Sequence, residues 1–152
     1  MKWPRAPARC KHSNVCLQAQ KTVTMIRKAE KIDKESIQYL IKELTGHSIS
    51  DSDMENRFDI VEFSQIDSLY VYEQDNKVIG LLGFRIRENI EENSRFGEIS
   101  ALVVDSNYRK QGIGKQLIDF ADKLANNNNC IGTWLVSGFG REEQAHPFYK
   151  SQ

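Results

Sequence analysis

The stretch that most restricts this chain is Val103-Val104-Asp105-Ser106-Asn107-Tyr108-Arg109-Lys110-Gln111-Gly112-Ile113-Gly114-Lys115. It opens on Ala101-Leu102-Val103-Val104, the end of a Phe96–Val104 strand and apolar enough to be buried on both faces. A polar turn then leads into a basic, glycine-bearing segment. From about Gly112 to Ala125 a helix follows, with Ile113, Leu117, Phe120, Ala121 and Leu124 on one face. Such a junction has the physics of an anion site. The first amide N–H groups of a helix lack internal partners, and the macrodipole leaves partial positive charge there. Gly112 and Gly114 carry no Cβ to hold a phosphate away, and Arg109, Lys110 and Lys115 add formal charge.

Two familiar phosphate loops do not fit. A Walker loop needs Gly-Lys followed by Ser or Thr, but Gly114-Lys115 precedes Gln116. A dinucleotide fingerprint needs a third glycine where Leu117 stands, and an acidic residue further on that is absent. A glycine-softened helix start packed on a sheet is the plainer alternative.

The remaining pattern supplies the other layers. Val23–Glu30 reads as a short strand. Asp33 is placed to cap a helix carrying Ile37, Leu40, Ile41 and Leu44, and Gly46 ends it. A second helix with Met54, Phe58 and Val61 follows the cap candidates Ser50 and Asp51. Leu69–Glu73 and Lys77–Arg87 are strand runs around the turn Asp75-Asn76, and residues 88–95 form a loop. After the Asn126–Asn129 stop, Cys130–Val136 is a further buried-type strand, and Arg141–Lys150 a closing helix. The order β-α-α-β-β-β-α-β-α is a mixed α/β or α+β domain.

Composition sets the class. A length of 152 residues suits one domain of ~150. With 39% apolar and 28% charged residues, the chain is neither a disordered polymer nor a membrane span, and no apolar run nears the ~18 residues of a crossing helix. Residues 1–24 lack the apolar core of a secretion signal, so a cytoplasmic location is expected. Cys10, Cys16 and Cys130 are too few and too scattered for a disulfide framework or a four-ligand zinc site, and no metal is expected. Cys130, with no nearby histidine in sequence, reads as a structural thiol.

The net charge of zero hides an asymmetry: residues 1–24 carry five basic residues and no acid, and the rest has a balance of −5. Residues 1–24 read as a disordered leader, with a basic arm for an anionic partner as the alternative. The domain proper starts at Met25. Its acidity favours a cationic small molecule over nucleic acid.

At Arg109-Lys110-Gln111-Gly112-Ile113-Gly114 the residues resemble the GNAT superfamily of acetyl-CoA-dependent N-acetyltransferases, whose motif is Arg/Gln-x-x-Gly-x-Gly/Ala at a strand-to-helix junction. The resemblance covers Met25 to Gln152 in element order and implies a mixed, mostly antiparallel sheet flanked by helices. It implies that the backbone of residues 109–114, aided by Lys115, holds the coenzyme pyrophosphate, and that Leu102, Val103 and Val104 pair with the pantetheine arm as another strand would. Glu98 stands where a glutamate acts as general base in the histone-acetylating branch. Tyr149 falls where many members carry a tyrosine that protonates the departing thiolate. His146 is a weaker second base, and some of Tyr70, Tyr72 and Phe84 line the acceptor side.

Three departures from the family pattern stand out. The chain stops at Ser151-Gln152, where members continue into two further strands, so the last two strands are expected to be missing and the Cys130–Val136 edge exposed. A homodimer that lends an element across the gap would cover it. Pro147 falls inside the last helix, where it costs ~3 kcal/mol unless it lies in the first turn. Glu142 stands near the place of a customary asparagine. The expected activity is transfer of acetyl to a primary amine, on a small molecule or a protein. A catalytically impaired acetyl-CoA-binding fragment is the alternative, and a generic anion-binding domain a third reading.

Overall fold

A computed structural model of the chain describes residues 22–135. Residues 1–21 of the expected leader, Val136, and the expected helix Arg141–Lys150 with His146, Pro147 and Tyr149 lie outside the described residues.

Strand β1 (Thr24–Lys28) leads through a short turn to helices α1 (Lys34–Thr45) and α2 (Asp51–Phe63). Strands β2 (Asp67–Gln74), β3 (Lys77–Glu88) and β4 (Arg95–Val104) follow, and helix α3 (Ile113–Asn127) crosses to β5 (Thr133–Leu135). The five strands lie side by side in chain order. The first three pairings are antiparallel, and β4 with β5 is parallel. Among the described residues this is the expected mixed, mostly antiparallel sheet with helices on its faces. None of the described helices is long and apolar enough to cross a membrane.

Local chemistry accounts for the elements. Asp75 and Asn76 both take positive φ (50° and 63°), the pair of left-handed residues that a tight hairpin between β2 and β3 requires. Ser50 caps α2 by accepting from the Asp53 N–H at 3.1 Å, and Gly46, at φ 78°, closes α1. Asp33 precedes α1 as expected but makes no side-chain cap there. Its carboxylate turns back to the Glu30 N–H (2.8 Å) and to the Arg27 guanidinium (2.7 and 2.8 Å). Burial opposes its ionisation, but the Arg27 and Glu30 hydrogen bonds outweigh that, and its carboxyl is held below the usual range.

Two apolar layers sandwich the sheet. On one face Ile37, Leu40, Met54 and Phe58 of α1 and α2 pack on Val71, Leu81 and Val103. On the other, Ile113, Leu117, Ala121 and Ala125 of α3 pack on Tyr70, Tyr72, Leu82, Phe84 and Ile99. Tyr70, Tyr72 and Phe84 are therefore core residues of the α3 layer. Tyr72 donates its hydroxyl to Gln116 at 3.2 Å, and Tyr70 meets Phe120 edge-on at 4.9 Å. Glycines let the layers close. A Cβ on Gly80 would lie 3.3 Å from Leu117, and one on Gly97 would lie 2.8 Å from the Phe84 ring.

The last described strand departs from expectation. It begins at Thr133 instead of Cys130, and Trp134 is half exposed, so it is not buried on both faces. Asn129, at φ 57°, and Gly132 carry the chain around the end of α3, and an extended backbone starts only after them.

Candidate functional site

The loop after β4 is a built turn. Asp105, buried, accepts from the Asn107 N–H (2.9 Å) and side-chain amide (3.0 Å), and its own N–H donates to Ile79 O on β3 at 2.9 Å. A single 3-10 turn, Ser106–Tyr108, follows, and Arg109 then returns to extended backbone. Lys110 (φ 61°) and Gly112 (φ 80°) are both left-handed, and among the described residues no atom lies within 4 Å of a Cβ built on Gly112. The first intrahelical bond of α3 runs from the Gln116 N–H to Gly112 O at 3.1 Å. The N–H groups of Ile113, Gly114 and Lys115 therefore have no intrahelical acceptor. Residues 109–112 are exposed, whereas Ile113 is buried and anchors the helix start. The result is an exposed turn leading to the positive end of a fifteen-residue helix.

The described residues of β5 end at Leu135, and up to that point β5 pairs with β4 from Gly97 to Ile99. The β4 register against β3 shifts between Gly83 and Phe84, which leaves Ser100 as an extra residue in a bulge. The bulge places Ile99 and Leu102, three apart, on the same α3 face. It also resets the hydrogen-bonding alternation. Asp105 bonds Ile79, so Val103 and Ala101 face β3, while the N–H and C=O of Leu102 and Val104 face away from β3. The C=O of Val104 accepts from Arg109 Nε at 3.0 Å. Leu102 and Val104 are half-buried and Val103 is buried, so burial on both faces is only partial at the end of β4.

Glu98 lies on β4 two residues before the bulge and is buried, at 4% exposure. It sits opposite Arg85 on β3 and Trp134 on β5, so these side chains share one face. Its Oε2 is engaged by Arg87 Nε, and no hydrogen bond to its Oε1 is present among the described residues. Arg85 is tied to Asp67 at 2.6 Å, and Phe96 stacks on Trp134 with ring centres 6.0 Å apart. Glu98 belongs to a face of alternating charge ending in an aromatic pair.

This overall fold matches known proteins. The GNAT acetyltransferase family model matches residues 34–152. The chain belongs to the GNAT acetyltransferase family. Among solved structures, a GNAT family acetyltransferase from Staphylococcus aureus is 28% identical, with a TM-score of 0.67, and the match covers 78% of this chain and 88% of that one. Glucosamine-6-phosphate N-acetyltransferase from Arabidopsis thaliana is 23% identical (TM-score 0.71; 85% and 89% covered). An aminoglycoside N-acetyltransferase in complex with CoA is 17% identical (TM-score 0.77; 89% and 90% covered). The last two likenesses are of fold alone.

The structure brings Arg109 to Lys115 together with Leu102, Val103 and Val104 around one end of β4, and it places Glu98 lower on the same strand. Tyr149 lies outside the described residues. Sequence reasoning missed three residues beside this region: Arg87, Ser100 and Glu43. Strand alternation could have paired Arg87 with Glu98, but the Ser100 bulge and the reach of Glu43 from α1 have no local sequence signal.

Proposed function

We propose that this GNAT family member is an acetyl-CoA-dependent N-acetyltransferase that transfers acetyl to a primary amine by direct attack in a ternary complex. The observation that carries this reading is a positive-φ glycine turn at the start of α3, directly after the end of β4. An extended ligand bearing a diphosphate at one end and amides along its length suits both parts. The space beside Gly112 admits phosphate oxygens where a Cβ would intrude, and Leu102 and Val104 offer strand-like hydrogen bonds. Acetyl-CoA is such a ligand, and as cosubstrate it supplies the activated acyl group.

In this reading the backbone of residues 109–115 binds the pyrophosphate, and Leu102 to Val104 align the arm. Backbone N–H groups around the Ser100 bulge stand where the thioester carbonyl gathers charge. The amine nitrogen forms a bond to the acetyl carbon as the carbon–sulfur bond breaks. Glu98, through its Oε1, takes the amine proton, and Tyr149 returns a proton to the sulfur. The engaged Oε2 of Glu98 favours a second reading, a coenzyme-binding module with weak turnover.

The test is thiol release from acetyl-CoA by the full chain, with a panel of polyamines, aminoglycosides, amino sugar phosphates and basic peptides. Amine-dependent release is expected. Coenzyme binding without release would support the second reading, and absence of both would overturn the assignment. Binding itself is read by melting: CoA at 100 times its dissociation constant adds ~2.7 kcal/mol, roughly 5–11 °C for a domain this size.

A further inference from the structure

Glu43 on α1 reaches across 66 positions of sequence to the loop after β4. It lies one helical turn beyond Leu40, which is fully buried against the sheet, so its side chain leaves α1 at the rim of the core. Its carboxylate is only about one-fifth exposed and accepts from both ends of the turn. The Ser106 N–H reaches Oε2 at 3.0 Å and the Ser106 hydroxyl reaches Oε1 at 3.2 Å. The Arg109 guanidinium donates Nη2 to Oε2 at 3.1 Å while its Nε holds Val104 O at 3.0 Å. Arg109 was expected to add charge to an anion site. Here it is a brace between α1 and the end of β4.

We infer that Glu43 is a positioning residue for the coenzyme loop, acting through Arg109. The inference rests on the proposed reading that this loop binds the CoA pyrophosphate. The brace spans Ser106 to Arg109 and so fixes the backbone that leads into Lys110 and Gly112. Both of those residues are left-handed, and no hydrogen bond between their N–H groups and a described residue orients them. The brace also engages the C=O of Val104 at the end of β4. Charge-assisted hydrogen bonds to a shielded carboxylate are strong enough to hold such a turn.

The experiment measures the dissociation constant for CoA in the full chain, in Glu43→Ala, in Arg109→Ala and in the double variant, together with the unliganded melting temperature. Glu43→Ala is expected to weaken CoA about tenfold with a melting temperature close to the parent's, because α1 keeps its Ile37 and Leu40 packing. Arg109→Ala is expected to match it, and the double variant to be no weaker than Arg109→Ala alone. Glu43→Gln, which keeps an acceptor for Ser106 but loses the ion pair, is expected to lie between, and it serves as the test if Glu43→Ala does not fold. Where turnover is measurable, KM for acetyl-CoA should rise while kcat and KM for the amine hold.

Unchanged or tighter CoA binding in Glu43→Ala would overturn the inference, as would single-variant losses that multiply in the double. If the parent chain does not bind CoA, the proposed function itself fails, an outcome separate from either of these.

Discussion

Gly112→Ala isolates the anion loop from the rest of the fold. Gly112 sits at φ 80°, and a Cβ built there meets nothing within 4 Å, so the methyl causes strain but no clash. A left-handed non-glycine residue costs roughly 1–2 kcal/mol, and the stiffer unfolded chain returns ~0.4–1 kcal/mol of that. The net is a loss of about 1 kcal/mol, or a melting point lower by roughly 2–4 °C in a chain of this length. Gly46→Ala supplies the control. Gly46 has φ 78° and equally open space, but it ends α1 and carries no part of the proposed site. Both variants should lose the same stability without ligand. With CoA they should diverge, because only at Gly112 does the methyl occupy the space proposed for phosphate oxygens. Loss of one charge-assisted hydrogen bond, ~1.5–3 kcal/mol, would weaken CoA by roughly tenfold to a hundredfold. Gly112→Asp should abolish binding. The assay is melting of the two variants across a CoA titration. Equal melting losses with equal retained CoA shifts would refute the placement of pyrophosphate on this loop.

The other predictions address the core, the proton path and a buried charge. Gly97→Ala should destabilise by ~1–3 kcal/mol, because its Cβ would lie 2.8 Å from the Phe84 ring and 3.0 Å from Ala125; denaturant melts that match the parent would contradict that packing. Glu98→Gln keeps size and the contact with Arg87, so CoA binding should hold while turnover falls ~10²-fold or more; unaltered turnover would leave Glu98 as the structural partner of Arg87. Asp33, with its carboxyl held below the usual range, stabilises the fold fully above the unfolded value near ~3.9 and loses that contribution as pH falls through its folded value. Asp33→Asn should therefore trail the parent at neutral pH and converge with it in acid. A stability gap that stays constant from neutral to strongly acidic pH would contradict the Arg27–Asp33 pairing.

Much of the fold was legible because it is written in neighbours along the chain. The apolar spacing of Ile37, Leu40, Met54, Phe58, Ile113 and Leu117 marked the buried sides of three helices, and each of these residues is buried. Asp75-Asn76 marked its hairpin, Ser50 its cap and Gly46 its helix end. The junction from Val104 to Lys115 was legible for the same reason: a buried strand, a turn and a helix start follow within a dozen residues. The last strand was misjudged because apolar content at Cys130 and Ile131 says nothing of the backbone turn at Asn129 and Gly132.

What the sequence by itself determined is the order of elements, the inward faces of the helices, and a glycine turn at a helix start. These rest on backbone sterics and on contacts within about one helical turn. Only the tertiary structure decided how the site is assembled. It decided that β5 pairs parallel with β4 at Gly97 to Ile99, that a bulge at Ser100 turns Leu102 and Val104 away from β3, and that Arg87 engages Glu98. It also decided that Glu43 braces Arg109 from another layer. Each of these depends on where packed elements bring groups distant in sequence. Burial of the two apolar faces brings them together, and no local propensity encodes the result.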